Sequence, residues 1–90
     1  MAIVRITRPT REQYMAVNAR VSIETRHPVG LLAHAAGEVD GGWQIVDIWE
    51  AEEYAAQFER DVLGPAVEDV TGAERRAPVI SYELEQLVLP

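Results

Sequence analysis

The apolar positions of this chain switch between a two-residue and a three-to-four-residue spacing, and each switch predicts a new element. Ala2 to Thr7 is short and β-branched, and Arg8-Pro9-Thr10 closes it as a turn. Thr10 then suits a helix N-cap, with Glu12 in the first turn where a carboxylate meets the helix dipole favourably. Tyr14, Val17 and Val21 share one helical face, with Met15 and Asn18 beside them, as far as Ile23. Arg26-His27-Pro28 ends that helix, because a residue before proline avoids the helical region, and His27 is expected to be exposed in this loop.

Leu31 to Val39 reads as a second strand and Trp43 to Trp49 as a third. Between them Asp40-Gly41-Gly42 is the strongest hairpin signal in the chain, since Asp-Gly tolerates the positive φ angles of a type I′ turn. From Ala51 the period lengthens again. Glu52 and Glu53 open a helix whose inner face carries Tyr54, Phe58 and Val62 at steps of four. Gly64-Pro65 breaks it, and Ala66 to Val70 forms a further short helix. Thr71 to Pro78 is a polar loop, and Val79 to Leu89 a last strand. The order β-α-β-β-α-β is the split βαβ, or ferredoxin-like, arrangement: an α+β fold with a four-stranded antiparallel sheet. Ninety residues are read as one domain, 1–90.

Two helices cover only one face of such a sheet, yet the strands are apolar on both. Val46 and Ile48 face one way in the third strand, while Trp43, Ile45 and Trp49 face the other. Leu31, Ala33 and Ala35 oppose Leu32 and Ala36 in the second. The aliphatic face left open by the helices calls for a second sheet, and a two-fold homodimer with facing sheets, a dimeric α+β barrel, is the simplest solution.

Composition narrows the function classes. Apolar residues make up 48% of the chain, which is generous for so small a domain and again points to a partner. There are no cysteines, so thiolate nucleophiles, thiolate metal sites and disulfides are excluded. The two histidines are too few for a transition-metal site without carboxylates supplying nearly all the ligands, and no metal or other cofactor is expected. A net charge of −7 argues against nucleic-acid binding. All eight basic residues are arginine, which removes Schiff-base chemistry. No apolar run approaches the ~20 residues of a membrane helix, and no signal-peptide core follows Met1, so a cytoplasmic location is expected.

Hairpin parity yields the sharpest chemical expectation. With Asp40-Gly41 as the central turn residues, Val39 pairs with Gly42, His34 lies opposite Asp47, and Leu32 opposite Trp49. With Gly41-Gly42 in the turn, His34 lies opposite Trp49 instead. Either turn puts His34, Asp47, Trp43 and Trp49 on one face. A carboxylate beside a histidine favours its charged form and fixes its tautomer, which prepares a general acid or base. The plain alternative is a structural hydrogen bond. Two tryptophans on that face offer an apolar, stackable lining for an aromatic ring. Arg5 can bring positive charge to the same pocket, with an ordinary salt bridge to a glutamate as the simpler role. Tyr14, Tyr54 and Tyr82 pack with hydroxyls at the rim, and Glu50, Glu52, Glu53 and Glu59 form a solvated helix face.

Gly30-Leu31-Leu32-Ala33-His34, then Gly41-Gly42-Trp43-Gln44-Ile45-Val46-Asp47-Ile48-Trp49-Glu50, then Glu52-Glu53-Tyr54 and Phe58 resemble the antibiotic-biosynthesis-monooxygenase-like branch of the dimeric α/β-barrel superfamily. The resemblance implies a ligand cleft between sheet and helices, lined by Trp49, with Trp43, Arg5, Tyr54, Phe58 and Tyr14 as further substrate-binding candidates. Haem-degrading members carry a histidine on the helical segment after the third strand and an asparagine on the first strand. This chain has neither, Asn18 being its only asparagine, so haem degradation is not implied. Cyclase members carry a histidine in a His-Pro segment that Gly64-Pro65-Ala66 lacks. His34 remains as the acid/base, with Asp47 as its orienting partner. The implied activity is a cofactor-independent oxygenase or cyclase/isomerase acting on a small aromatic or polyketide-like substrate. The alternative is a non-catalytic ligand-binding or accessory dimer.

Overall fold

The computed structural model describes residues 1–23, 25–72 and 79–90, and the expected polar loop therefore lies, from 73 to 78, outside the described residues. The elements are β1 (Ile3–Thr7), α1 (Arg11–Val21), β2 (Leu31–Val39), β3 (Gly42–Trp49), α2 (Glu52–Phe58), a π-helical turn (Glu59–Leu63), α3 (Gly64–Thr71) and β4 (Val79–Glu83). The antiparallel sheet runs β2-β3-β1-β4, the strand order of the ferredoxin-like fold. No helix among the described residues is long and apolar enough to cross a membrane.

The start of α1 follows its sequence. The Thr10 hydroxyl accepts from the Gln13 amide at 3.1 Å, and the Gln13 side chain accepts from the Thr10 amide at 3.1 Å, a reciprocal capping box. Its end comes earlier than Ile23. Ser22 adopts a left-handed conformation (φ 53°) and donates its amide to Asn18 at 2.7 Å, so the helix closes before the His-Pro pair acts. His27 is exposed, as expected, with Nε2 2.7 Å from the Leu31 carbonyl.

Three single-residue effects correct the periodicity reading. In the β2–β3 hairpin Val39 pairs with Gly42 and His34 with Asp47, so Asp40 and Gly41 form the turn. Only Gly41 has positive φ (72°), unlike the type I′ turn expected, but the two-residue parity is the same. Further along, a bulge at Leu32 pairs Leu31, rather than Leu32, with Trp49. The extra residue flips Leu31 from the open face to the helix side, where it is buried in the core.

The second correction concerns Gly64-Pro65. The helical path is not broken there: Gly64 is right-handed (φ −56°) and its amide reaches the Glu59 carbonyl, five residues back. Proline lacks an amide and its ring crowds the carbonyl four residues earlier, and the widened π turn accommodates both. The π turn also inserts a residue into the inner face. Phe58 is followed inward by Leu63, a step of five, and Val62 is left 40% exposed. Third, β4 ends at Glu83 rather than Leu89. Its partner β1 is only five residues long, and after the Leu84 amide bonds the Ala2 carbonyl the ladder has nothing left to pair with.

The core lies between the sheet and the helices: Ile3, Val21, Ile23, Leu31, Trp49, Ala55 and Ala66 are buried together, with Val17, Tyr54 and Phe58 against them. The opposite face carries Ala33 and Ala35 on β2, Val46 and Ile48 on β3, Val4 and Ile6 on β1, and Ile80 and Tyr82 on β4. No helix covers it.

Candidate functional site

His34 and Asp47 face each other across the centre of the β2–β3 hairpin, with His34 Nδ1 2.5 Å from Asp47 Oδ1. Helix α1 crosses above them and brings the Tyr14 hydroxyl to 3.0 Å from His34 Nε2. The two rings lie nearly parallel, 13° apart with centroids 6.1 Å from each other. With Asp47 ionised and His34 neutral, Nδ1 carries the proton toward Asp47 and Nε2 accepts from the Tyr14 O–H. The result is a directed chain from the Tyr14 hydroxyl through His34 to Asp47, the logic by which a weak acid is activated through an oriented imidazole. Each of the His34 and Asp47 side chains is about one-fifth exposed (21% and 20%), enough to be reached from the cleft.

A recess of about 120 Å³ opens onto this chain, lined among others by Arg5, Tyr14, Asp47, Trp49 and Phe58. It widens between α1, the Thr7–Thr10 segment and α3 into an outer cleft of about 530 Å³, with Tyr14, Leu63 and Val79 common to both parts. The outer cleft has the size of a small-molecule site, and the recess is its narrow inner end. Trp49 is 2% exposed and holds Phe58 at 5.4 Å between centroids, so the floor is rigid and aromatic.

The expected site residues divide into three groups. His34, Asp47, Trp49, Phe58, Tyr14 and Arg5 are brought together in the recess. Trp43 shares their face but lines neither part of the cleft; it backs Tyr14 at 5.6 Å and carries the Arg11 guanidinium 5.7 Å over its ring. Tyr54 is turned into the core beneath Gly30 and does not line the cleft. Arg5 makes no salt bridge to a glutamate among the described residues, and its buried Nε has no hydrogen-bond partner.

Two contributions escaped the sequence reading. The Tyr14 hydroxyl is a partner of His34, not a rim group, and only the crossing of α1 over the hairpin reveals it. Glu59 is not on the solvated face with Glu50, Glu52 and Glu53; it is half-buried and lines both parts of the cleft. The five-residue step from Phe58 to Leu63 ahead of Gly64-Pro65 was the available sign of the π turn that carries it inward.

No protein-family model matches the chain, and no curated protein matches it significantly by sequence. Solved structures do. An antibiotic-biosynthesis-monooxygenase-type protein from Deinococcus radiodurans aligns over 100% of this chain and 98% of its own, with a TM-score of 0.69 at 15% identity. SnoaB, a cofactor-independent oxygenase from Streptomyces nogalater, aligns over 97% and 93%, with a TM-score of 0.57 at 11% identity. The haem degrader MhuD from Mycobacterium tuberculosis, solved with two haems in its active site, aligns over 98% and 99%, with a TM-score of 0.57 at 15% identity. These likenesses concern the architecture. The chain has the α+β, ferredoxin-like fold of the antibiotic-biosynthesis-monooxygenase-like proteins.

Proposed function

We propose that this protein is a cofactor-independent enzyme that removes a proton from a small aromatic or polyketide-like substrate bound in the cleft. The observation that carries the reading is the Tyr14–His34–Asp47 chain opening onto an apolar recess floored by Trp49 and Phe58. His34 is the acid/base, Asp47 orients it, and Tyr14 is the group that meets the substrate, since both imidazole nitrogens are already engaged. As the tyrosine gives its proton to Nε2, its oxygen can take one from an acidic substrate C–H or O–H.

The oxygenase and the cyclase/isomerase readings share this step and part at the fate of the anion. A carbanion flanked by aromatic rings can transfer electrons to dioxygen. The C–O bond then forms, the hydroperoxide is protonated, and loss of water leaves the ketone. Alternatively the anion attacks a carbonyl of the same molecule or is reprotonated elsewhere. The fold of the cofactor-independent oxygenase SnoaB supports the first fate.

Anthrone, whose methylene is acidic, separates the outcomes. An oxygenase will consume oxygen and form anthraquinone above the buffer rate with no flavin or metal added. An isomerase-type catalyst will exchange the methylene protons in deuterium oxide without oxygen uptake. Absence of both, on anthrone and on hydroxynaphthalene analogues, would leave only the non-catalytic binding reading.

We further propose that the functional unit is a homodimer formed through the uncovered sheet face. Ile80 is 58% and Tyr82 52% exposed there, beside Val46, Ile48, Ala33 and Ala35, and a continuous apolar sheet face of this kind is unfavourable in water. Sedimentation equilibrium at micromolar concentration should give twice the chain mass, and Val46→Glu should give the monomer. A wild-type monomer under those conditions would end this proposal.

A further inference from the structure

Arg5 is the feature of the cleft that the proton chain does not use. It sits at the centre of β1, the strand between β3 and β4, on the face turned to the helices. Arg5 lines the recess and also a second, more open hollow shared with Glu52, Glu59 and Glu68, and its Nε is buried without a hydrogen bond or, among the described residues, an ion pair. The carboxylates nearby do not satisfy it. Asp47, directly across from it in the strand register, gives Oδ1 to His34 at 2.5 Å, and no ion pair joins Arg5 to Glu52 or Glu68 in the second hollow. Arg5 as a whole is half-buried, but a buried N–H donor left without a hydrogen bond is unfavourable, and a planar guanidinium fork is matched best by an oxyanion.

We propose that Arg5 is the anion receptor of this cleft and that the ligand is a fused-ring aromatic anion, an aromatic carboxylate or phenolate, held by its charged oxygen. This deepens the proton-abstraction reading and rests on it for the orientation of the ligand. The length follows from the register. Arg5, Asp47 and His34 form one row across β1, β3 and β2, so Arg5 and His34 stand two strand spacings apart, roughly 10 Å. That backbone spacing suits a bicyclic ligand with its anion at Arg5 and its second ring toward Tyr14 and His34. The Trp49–Phe58 floor beside this row offers aromatic faces for such rings.

The probe is 6-hydroxy-2-naphthoate, compared with its neutral isostere 6-hydroxy-2-naphthamide. Binding is followed by tryptophan fluorescence, checked by calorimetry, and requires no turnover. The wild-type protein is expected to bind the acid about tenfold or more tightly than the amide. Arg5→Gln should weaken the acid by a similar factor and leave the amide unchanged, and Arg5→Lys should keep part of the preference. Equal wild-type affinity for acid and amide would overturn the proposal, and that comparison needs no variant to fold. So would an Arg5→Gln protein that keeps the preference or loses both ligands alike. The two readings fail differently: an acid preference that survives in a protein without turnover removes the catalytic reading alone. Turnover that depends on His34 without any acid preference removes the role of Arg5 alone.

Discussion

His34→Ala is expected to lower catalysed turnover of anthrone, or proton exchange into it, by about 10²- to 10⁴-fold, the usual contribution of a positioned acid/base. The imidazole joins Tyr14 to Asp47 through contacts of 3.0 and 2.5 Å, so its removal severs the chain at the middle. Tyr14→Phe should produce a loss in the same range while keeping the ring packed 5.6 Å from Trp43, which separates chemistry from packing. Neither change should unfold the protein. Loss of a buried hydrogen-bond partner costs roughly 1 to 3 kcal/mol, and water can reach this pair because each side chain is about one-fifth exposed. Steady-state rates and thermal denaturation on the same samples read both effects. Retention of turnover by His34→Ala would refute the acid/base assignment. Retention by Tyr14→Phe alone would mean that His34 meets the substrate directly.

The largest expected effect on stability comes from a residue outside the cleft. Gly30 has φ +84°, and a Cβ added there would stand 2.3 Å from Tyr54 Cγ and 2.6 Å from Tyr54 Cβ. Rotation about χ1 can swing Cγ aside, but Cβ is fixed by the Tyr54 backbone and cannot be moved away by any rotamer. Gly30→Ala therefore combines left-handed backbone strain, about 1 to 2 kcal/mol, with overpacking of about 1 to 3 kcal/mol. Together they amount to a large part of the stability of a chain this size, and the melting temperature should fall by more than about 10 °C. In a Tyr54→Ala background the same substitution should cost only the strain. An unchanged melting temperature in Gly30→Ala would show that α2 shifts freely against β2, and that Tyr54 does not wedge them.

Much of this architecture was legible along the chain because its elements depend on local chemistry. Thr10 and Gln13 cap α1 through neighbouring atoms. The alternation of β2 and β3 follows from the pleat, and a two-residue turn at Asp40-Gly41 settles their pairing. His34 and Asp47 are only thirteen positions apart, so turn parity was enough to put them on one face, and the Asp40-Gly41 turn, one of the two the sequence left open, sets them opposite one another. The uncovered aliphatic face follows from the same alternation, since two helices cannot shield both sides of four strands.

The rest was decided in three dimensions, by two kinds of event that periodicity does not register. The first is insertion of a single residue. The bulge at Leu32 moved Leu31 from one face to the other, and the π turn at Glu59–Leu63 exchanged Val62 for Leu63 and carried Glu59 to the cleft. A spacing rule fails everywhere beyond such a point, because the phase of the whole face has changed. The second is the meeting of elements distant in sequence. Tyr14 reaches His34 from twenty residues away because α1 packs across the hairpin, and Trp43 and Tyr54 are kept from the cleft by what packs against them. By itself the sequence determined the fold and the shared face of His34 and Asp47, both consequences of short-range geometry. Tertiary packing decided that the pair ends in a tyrosine and that Arg5 faces the recess without a partner, since each depends on which surfaces come together.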